Sequence, residues 1–498
     1  MAGRTSENSY IDYEPGRPKE NGAYYTPDPV VRSLLSWAAL VESDRLLDPS
    51  CGDGRFIAAH AKSVGIEQDL KSAAVAMQRA PGALVHEGDF FTWAANTPER
   101  FECAAGNPPF IRYQLFKGDV RRRALNLCAG LGARFTGLSS SWPLFLVATA
   151  SLLKPGGRMA FVVPAEIGHA PYSAPLLDYL VENFSRVQVI AIREKLFPDL
   201  SEDCWLLYAE GFGGRTSAIA LTIMEHFSER RAPPKASISV PVPEWRAVWN
   251  RRLRPFLLPA DARALYTSLA GAPDTRRFGD VAGIGIGYVS GANDFFHLRP
   301  SEADRWRIPA ELLYPSVRNS RALPAARLTR AVLDKWKRED APIMLLRLAK
   351  DQVLASAVKR YLESDGAKEA QEAYKCRVRD PWYSVPDVKV PDFFLTYMSG
   401  RRVGFVRNDA GCTCTNTLHT VQLRDRGALP ALLDFQKSPL FQLSCELEGH
   451  PLGGGMLKLE PGEANRIILP TPGACAKVDI GLAAEAVAAM QAWRHYAA

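Results

Sequence analysis

The chain has 498 residues, 61 Lys plus Arg against 54 Asp plus Glu, and a formal charge of +7. A single core stops growing at about 250–300 residues, so this length implies more than one domain. An apolar content of 47% and a charged content of 23% exclude disordered and fibrous classes. No apolar run reaches the roughly 18 residues that a membrane-spanning helix needs, and residues 1–7 are polar with no apolar signal-peptide core. Nine scattered cysteines without a CxxC pair argue against a disulfide framework or zinc cluster. No membrane association, no metal and a reducing cytoplasm are therefore expected.

In chain order, Asp28 to Leu40 reads as a helix with Pro27 and Pro29 at its start and Val31, Leu34, Leu35 and Ala38 at helical spacing. Arg45-Leu46-Leu47 reads as a buried strand that enters the loop Asp48-Pro49-Ser50-Cys51-Gly52-Asp53-Gly54. A short helix over 56–62 and a strand over 64–67 follow, then a strand over 101–106 that ends at Asn107-Pro108-Pro109-Phe110. Ser141 to Leu153 reads as a helix and Gly157 to Val163 as a strand. This alternation predicts an α/β domain with a mostly parallel sheet. Composition changes after Gly211-Phe212-Gly213-Gly214, and the boundary is expected between residues 215 and 245. That gives a first domain over 1–225 and a second over 245–498. Residues 342–361 read as an amphipathic helix, and 483–496 as a C-terminal helix.

Charge follows the same division. Residues 1–215 carry 22 basic and 24 acidic side chains; residues 216–498 carry 39 and 30, a net of +9. Of the basic residues 44 are Arg, whose planar fork suits phosphate and guanine edges better than an ammonium does. The densest clusters, Arg251-Arg252-Leu253-Arg254, Arg276-Arg277 and Arg401-Arg402, fall in this half with Trp306, Trp336, Trp382 and Tyr383. They point to a nucleic-acid surface.

The loop from Asp48 to Gly54 follows a strand and opens a helix, where glycines permit a tight turn and close approach to a ligand. Taken alone it reads equally as a plain turn. It is neither GxGxxG nor a phosphate loop. Asp48 favours a ligand that offers positive charge or hydroxyls over one that offers phosphate, and Glu67, at the end of the next strand, suits ribose hydroxyls. S-adenosylmethionine fits these demands. Asn107-Pro108-Pro109-Phe110 is sharper: two prolines fix φ and remove two backbone donors. The Asn107 side-chain oxygen and the Pro108 carbonyl can then accept the two hydrogens of an exocyclic amine, with Phe110 stacked on its ring.

Tyr25-Thr26-Pro27, Asp48 to Phe56, Glu67, Gly88-Asp89-Phe90 and Asn107-Pro108-Pro109-Phe110 resemble motifs X, I, II, III and IV of one family. It is the gamma group of DNA adenine-N6 methyltransferases of the restriction-modification type, in which target recognition is C-terminal. Residues 152–164 are similar to the strand pair after motif IV, and Leu196-Phe197-Pro198 looks like the aromatic position of motif VIII. Residues 287–296 and Arg379-Asp380-Pro381-Trp382-Tyr383 resemble segments of the recognition domains. The resemblance covers residues 20–210 strongly and 278–425 weakly.

The resemblance implies a Rossmann-like methyltransferase domain with a mostly parallel seven-stranded sheet, followed by an α+β target recognition domain. Tyr25, Thr26 and Pro27 would lie at the methionine moiety of S-adenosylmethionine, beside Asp48, Ser50, Cys51, Gly52 and Gly54. Glu67 would bind the ribose, Asp89 would accept from the adenine amino group, and Phe90 would pack on that ring. Asn107 and Pro108, held by Pro109, would orient the target amino group, while Phe110 and Phe197 sandwich a flipped-out adenine. The partner would be double-stranded DNA, and a separately encoded restriction endonuclease is possible. No Glu-x-Lys occurs, so a fused Mg²⁺ nuclease is not expected. Cys51 and Cys103 read as packing and Asp53 as a helix cap. Two rival readings are an RNA (rRNA) base methyltransferase with the same Asn-Pro-Pro-Phe chemistry and a non-catalytic DNA-recognition subunit.

Overall fold

The computed structural model describes residues 26–198, 200 and 202–495. Helix α1 (Asp28–Ala38) starts at Pro27, whose carbonyl accepts from the Val30 and Val31 amides at 2.9 and 3.1 Å. Its apolar face, Val30, Val31, Leu34, Leu35 and Trp37, enters a core with Leu46, Ala105, Ala160, Val162, Ile190 and Leu206 from the central strands. Burying a residue of this size contributes about 1.5–3 kcal/mol, so α1 is anchored from one side only and its outer face stays polar.

The rest of the first unit alternates as the sequence predicts. It runs β1 (Leu46–Asp48), α2 (Arg55–Ala58), β2 (Ser63–Glu67), α3 (Leu70–Arg79), β3 (Leu84–Glu87), α4 (Phe90–Asn96), β4 (Phe101–Gly106) and α5 (Gly118–Gly130). Then follow α6 (Ser141–Ala150), β5 (Leu153–Pro164), α7 (Ala174–Asn183), β6 (Phe184–Ile192), β7 (Cys204–Phe212), β8 (Ala218–Met224), β9 (Ile238–Pro241) and α8 (Val242–Ala247). The strands form one sheet in the order β3-β2-β1-β4-β5-β7-β6-β8-β9. The five strands from β3 to β5 are parallel, β7 is antiparallel to both neighbours, β8 is parallel to β6 and β9 antiparallel to β8. The chain leaves β1 toward β2 and β3 and returns on the other side of β1 as β4. That reversal is a topological switch point, where doubly wound sheets open a crevice at the carboxyl ends of their strands.

Two expectations change here. The sheet has nine strands rather than seven, because residues 216–241 add β8 and β9 beyond β7; Ile219, Leu221 and Val240 are fully buried there. The chain also divides between Leu257 and Leu258, after the interval 215–245. Trp245, Trp249 and Phe256 are buried in the first unit, and the Leu253 amide donates to the Gly168 carbonyl at 2.8 Å. The Arg- and Trp-rich stretch after residue 244 is therefore packed into the first unit, with Trp245, Trp249, Arg252 and Arg254 buried. Moving the division to residue 257 transfers seven basic and three acidic residues, so the units carry +2 and +5 rather than −2 and +9.

The second unit, Leu258–Ala498, mixes small sheets with helices. A five-stranded sheet orders the strands Ala282–Ile286, Leu418–Leu423, Phe393–Thr396, Phe405–Asn408 and Arg327–Leu328. A four-stranded sheet places Met344–Leu346 between His297–Leu298 and Leu313–Val317. Residues 342–361 are thus a strand and a later helix (Ser356–Leu362), not one amphipathic helix. A short apolar run such as Ile343-Met344-Leu345-Leu346 satisfies either period, and cross-strand partners decided it. In the segment 287–296 the Tyr288 hydroxyl lies 2.6 Å from His297 Nε2 and 2.5 Å from Ser316 Oγ, all three buried. Burial pushes His297 down to about 4, so this network is neutral at ordinary pH. Among the described residues no helix is long and apolar enough to cross a membrane.

The C-terminal helix spans Ile480–Ala492, and just beyond it Arg494 is buried against Glu446, with contacts of 2.6 and 3.1 Å. Its guanidinium also donates to the Gly400 carbonyl at 3.1 Å and to that of Gly455. Removing one member of a buried, hydrogen-bonded pair leaves the other charge desolvated, so Arg494→Ala is expected to destabilise the second unit by about 3–5 kcal/mol. Arg494→Met combined with Glu446→Leu is expected to recover most of that loss. Urea unfolding of the variants checks this; equal loss in the single and double variants would refute the assignment.

Candidate active site

The site is built on the carboxyl ends of β1 to β4. Asp48, the last residue of β1, is 1% exposed, and its Oδ1 accepts from the Ser50 amide at 3.1 Å. The neighbouring strand β4 ends in Gly106, where a Cβ would stand 2.7 Å from that same oxygen. Only glycine lets the two strands close on the carboxylate. Burial, with Glu67 and Asp53 nearby, pushes Asp48 up to about 8 against the opposing Ser50 hydrogen bond. The following loop turns at Gly54, which has φ +86° and lies so near α3 that a Cβ would meet Ala76 Cα at 2.8 Å. Gly54 thereby starts α2 in a conformation that side chains disfavour.

Two contacts tie the loop to β2, and a third holds Glu67 to the turn that follows it. The Cys51 amide donates to the Ile66 carbonyl at 3.0 Å, the Gly52 amide donates to Glu67 Oε2 at 2.8 Å, and the Asp69 amide donates to Glu67 Oε1 at 2.8 Å. Burial raises the Glu67 carboxyl, and these amides oppose the rise. Ahead of Gly52, nothing lies within 4 Å of where a Cβ would point. Asp53 pairs with Arg55 at 3.2 Å and with Arg79, so it serves as an ionic anchor for α2 and α3. Cys51 is packed against β2, and burial pushes its thiol far above the ordinary range. Cys103 is likewise buried, its thiol pushed up to about 12. Neither is an activated nucleophile.

At the end of β3, Asp89 caps α4, its Oδ2 accepting from the Thr92 amide at 2.9 Å and the Thr92 hydroxyl at 2.6 Å. Phe90 lies inside, 2% exposed, with its ring stacked on Phe145 at 5.3 Å and 12°. Thr26 is buried at the opposite side of the loop, and its carbonyl accepts from Arg55 at 3.3 Å; Pro27 opens α1. Tyr25 lies outside the described residues.

At the end of β4 comes Asn107-Pro108-Pro109-Phe110. The Asn107 carbonyl lies 3.4 Å from Ser50 Oγ, which joins this turn to the β1 loop across the switch point. Pro108 is buried, while Asn107, Pro109 and Phe110 are half-buried. Phe110 packs against the core cluster that also holds Phe197, so the two aromatics from distant parts of the chain share one cluster. Arg112 pairs with Glu202 at 2.7 Å and links the segments that carry them.

Sequence reasoning missed Ser141. It starts α6 fully buried; its hydroxyl donates to the Pro109 carbonyl and accepts from the Ile111 amide at 3.0 Å, and its amide donates to the Ile111 carbonyl at 3.0 Å. Nothing in Ser139-Ser140-Ser141 distinguishes the third serine from a helix start. The basic and aromatic clusters behave differently from expectation. Arg251 pairs with Asp178 at 2.8 Å, and Arg252 and Arg254 are buried in the first unit. Arg276 pairs with Asp425 at 2.6 Å, and Arg277 donates to the Arg466 carbonyl. Trp306, Trp382 and Tyr383 pack on one apolar cluster of the second unit and Trp336 on another. Arg401 and Arg402 are exposed, as are Arg330, Lys337 and Arg338. Among the described residues no group of three or more His, Cys, Asp or Glu is placed to hold a metal ion.

Fold and site together define a doubly wound α/β protein with carboxylates and a glycine turn at the strand ends of its switch point and an Asn-Pro-Pro-aromatic turn beside them. Comparison with known proteins narrows the class. Residues 250–493 match the family described as "Type II methyltransferase M.Eco57I, C-terminal domain". The chain is 25% identical over 492 residues to Type II methyltransferase M.XamI of Xanthomonas campestris pv. amaranthicola, which covers 94% of this chain and 88% of that protein. It is 19% identical over 480 residues to Type II methyltransferase M.AccI of Acinetobacter calcoaceticus, covering 90% and 85%. Among solved structures, the Type IIL restriction-modification enzyme MmeI in complex with DNA has a similar fold. Its TM-score is 0.51 at 12% identity, over 90% of this chain and 63% of that longer chain. The chain is thus similar over nearly its whole length to Type II methyltransferases, and over residues 250–493 to the C-terminal domain of one of them.

The buried Asp48 makes stability depend on pH. Its carboxyl is raised from 3.8 to about 8 in the folded chain, so between these values the folded state holds a proton that the unfolded state releases. Its contribution is therefore fully present below about pH 4 and is lost as pH rises through about 8. Asp48→Asn is expected to flatten the fall in Tm of the ligand-free protein between about pH 5 and about pH 8. An unchanged fall in calorimetry would contradict this origin.

Proposed function

We propose that the chain is a site-specific DNA methyltransferase of a restriction-modification system. It transfers the methyl group of S-adenosylmethionine to the exocyclic N6 amino group of an adenine flipped out of duplex DNA. The observation that carries this reading is the convergence of Asp48, Glu67, Asp89 and Asn107-Pro108 on the ends of four adjacent parallel strands around one switch point.

The residues at β1 and β2 suit the cofactor chemically. The Glu67 and Asp53 carboxylates lie close enough to raise the proton affinity of Asp48, and a cationic ligand relieves that repulsion. The open space ahead of Gly52, beside the Glu67 carboxylate, leaves room for a hydroxyl-bearing sugar. When bound, S-adenosylmethionine supplies a methyl group on a sulfonium, already activated for displacement. Thr26, Pro27, Ser50, Cys51, Gly52 and Gly54 would line its methionine side, with Asp89 and Phe90 toward its adenine.

The remaining work belongs to the Asn107 turn. With the Asn107 side-chain oxygen and the Pro108 carbonyl accepting the two amino hydrogens, the nitrogen lone pair is drawn out of conjugation and directed at the methyl group. Phe110 and Phe197 would hold the extruded base and offset the few kcal/mol of unstacking. Duplex DNA would be engaged by the second unit, through exposed basic residues such as Arg330, Lys337, Arg338, Arg401 and Arg402. DNA is favoured over RNA as substrate because the relatives that cover nearly the whole chain are Type II methyltransferases. A separately encoded endonuclease would be the partner in the cell.

The test is transfer of tritium-labelled methyl groups from S-adenosylmethionine to unmethylated duplex DNA, with modified adenines read by sequencing. Asn107→Ala is expected to reduce kcat by about 10²–10³-fold, the range for removing one fixed polar group that acts on the transition state. Label on RNA or protein, label on cytosine, or full activity in the variant would reject the reading.

A further inference from the structure

We propose that Ser141 is a positioning residue for methyl transfer, acting through the Pro109-Phe110-Ile111 backbone on the aromatic that holds the target base. The proposal rests on the function just given and adds to it a residue that no sequence motif marks. Its basis is a shortage of donors. The two prolines after Asn107 leave the turn with no N–H at 108 or 109, so it cannot brace itself with backbone hydrogen bonds there. Ser141 braces it from outside. Its hydroxyl donates to the Pro109 carbonyl and accepts from the Ile111 amide at 3.0 Å, while its own amide donates to the Ile111 carbonyl at 3.0 Å. The three bonds straddle Phe110 and fix the backbone on both sides of it.

The brace is rigid because its support is. Every residue of α6 from Ser141 to Ala150 is buried, and the next residue, Trp142, is fully enclosed, with its indole N–H 3.4 Å from the Tyr172 hydroxyl. The Tyr172 hydroxyl in turn donates to Glu166, just past the carboxyl end of β5, the strand beside β4. A serine hydroxyl offers one donor and accepts through its lone pairs, and here both functions are used on the same turn. Ser50, across the switch point, holds the Asn107 end at 3.4 Å. Asn107-Pro108-Pro109-Phe110 is therefore held at both ends by serines of other elements. Of the two, Ser141 makes more and shorter contacts.

A small displacement of a base-holding aromatic moves the amino nitrogen out of line with the methyl group, and a misplacement of about 1 Å costs about 10²-fold in rate. Ser141→Ala is therefore expected to reduce kcat for label transfer to duplex DNA by about 10²-fold, with S-adenosylmethionine affinity by calorimetry unchanged. Ser141→Thr, which keeps the hydroxyl, should recover most of that activity. Thr149→Val is the structural control: it removes another buried hydroxyl of α6, one that donates to the Phe145 carbonyl at 2.7 Å and does not touch the turn. It should leave kcat in place.

The decisive arm is a cycle with Phe110→Ala, in which the effect of Ser141→Ala should shrink toward unity because the group it positions is gone. Should the alanine variant not fold, Ser141→Cys keeps the volume, weakens the hydrogen bonds and carries the same comparisons. An equal loss in Ser141→Ala and Thr149→Val overturns the proposal, and so does a full Ser141 effect persisting in the Phe110→Ala background. Wild-type transfer with no change in any Ser141 variant overturns the proposal alone, whereas no transfer by the wild type overturns the proposed function and the proposal with it.

Discussion

The close approach of β1 and β4 at their carboxyl ends is the constraint on which the site depends. Adjacent parallel strands run about 4.8 Å apart, and a side chain at the end of β4 would enter the space that the Asp48 carboxylate occupies. Gly106 removes that side chain, with a Cβ there only 2.7 Å from Asp48 Oδ1. The carboxylate can then sit buried between the strands. From this follow its high proton affinity, the turn at Ser50 that its Oδ1 organises, and the reach of Ser50 to Asn107. The acidic loop and the Asn107 turn thus share one boundary, joined by Ser50.

Rigidity is distributed unevenly around this boundary. The β1 loop is held by Glu67, whose two oxygens accept from Gly52 and Asp69 at 2.8 Å each, a carboxylate used as a backbone clamp. The Asn107 turn, poor in donors, borrows its clamp from α6. Charged hydrogen bonds are roughly twice as strong as neutral ones, so the acidic side is held by fewer and stronger contacts and the proline side by more and weaker ones. That difference matches what each half would have to do. One cradles a charged small molecule, and the other holds two neutral acceptors at a fixed angle.

Much of the first unit was legible because its signals are local. Buried parallel strands read as short apolar runs, so β1, β2 and β4 fall within a residue or two of expectation, and β4 matches at both ends. The motif residues lie at strand ends or just beyond them, which is where a doubly wound sheet opens its crevice. Misreadings came from signals that are not local. Clustered arginines and aromatics point to a DNA surface, yet Arg252 and Arg254 are interior residues of the first unit, and Trp306, Trp382 and Tyr383 pack on a core cluster of the second. A guanidinium that finds carboxylates or carbonyls can be buried, and an aromatic is as useful in a core as on a base. Composition does not distinguish these fates. The charge division weakened for the same reason, from a contrast of −2 and +9 to one of +2 and +5.

The amino-acid sequence alone determined the chemistry at each strand end: a carboxylate, a glycine turn, a second carboxylate and an amide locked before two prolines. Those features are set within a few residues by φ preferences, missing donors and side-chain type. Tertiary structure decided everything that required two distant segments to meet. It brought Phe110 and Phe197 into one cluster, added β8 and β9 to the sheet and closed the first unit at Leu257. It also placed Ser141 against a turn thirty-odd residues upstream. Such pairings depend on strand order and on which buried surfaces fit, and neither is encoded in the spacing of one segment.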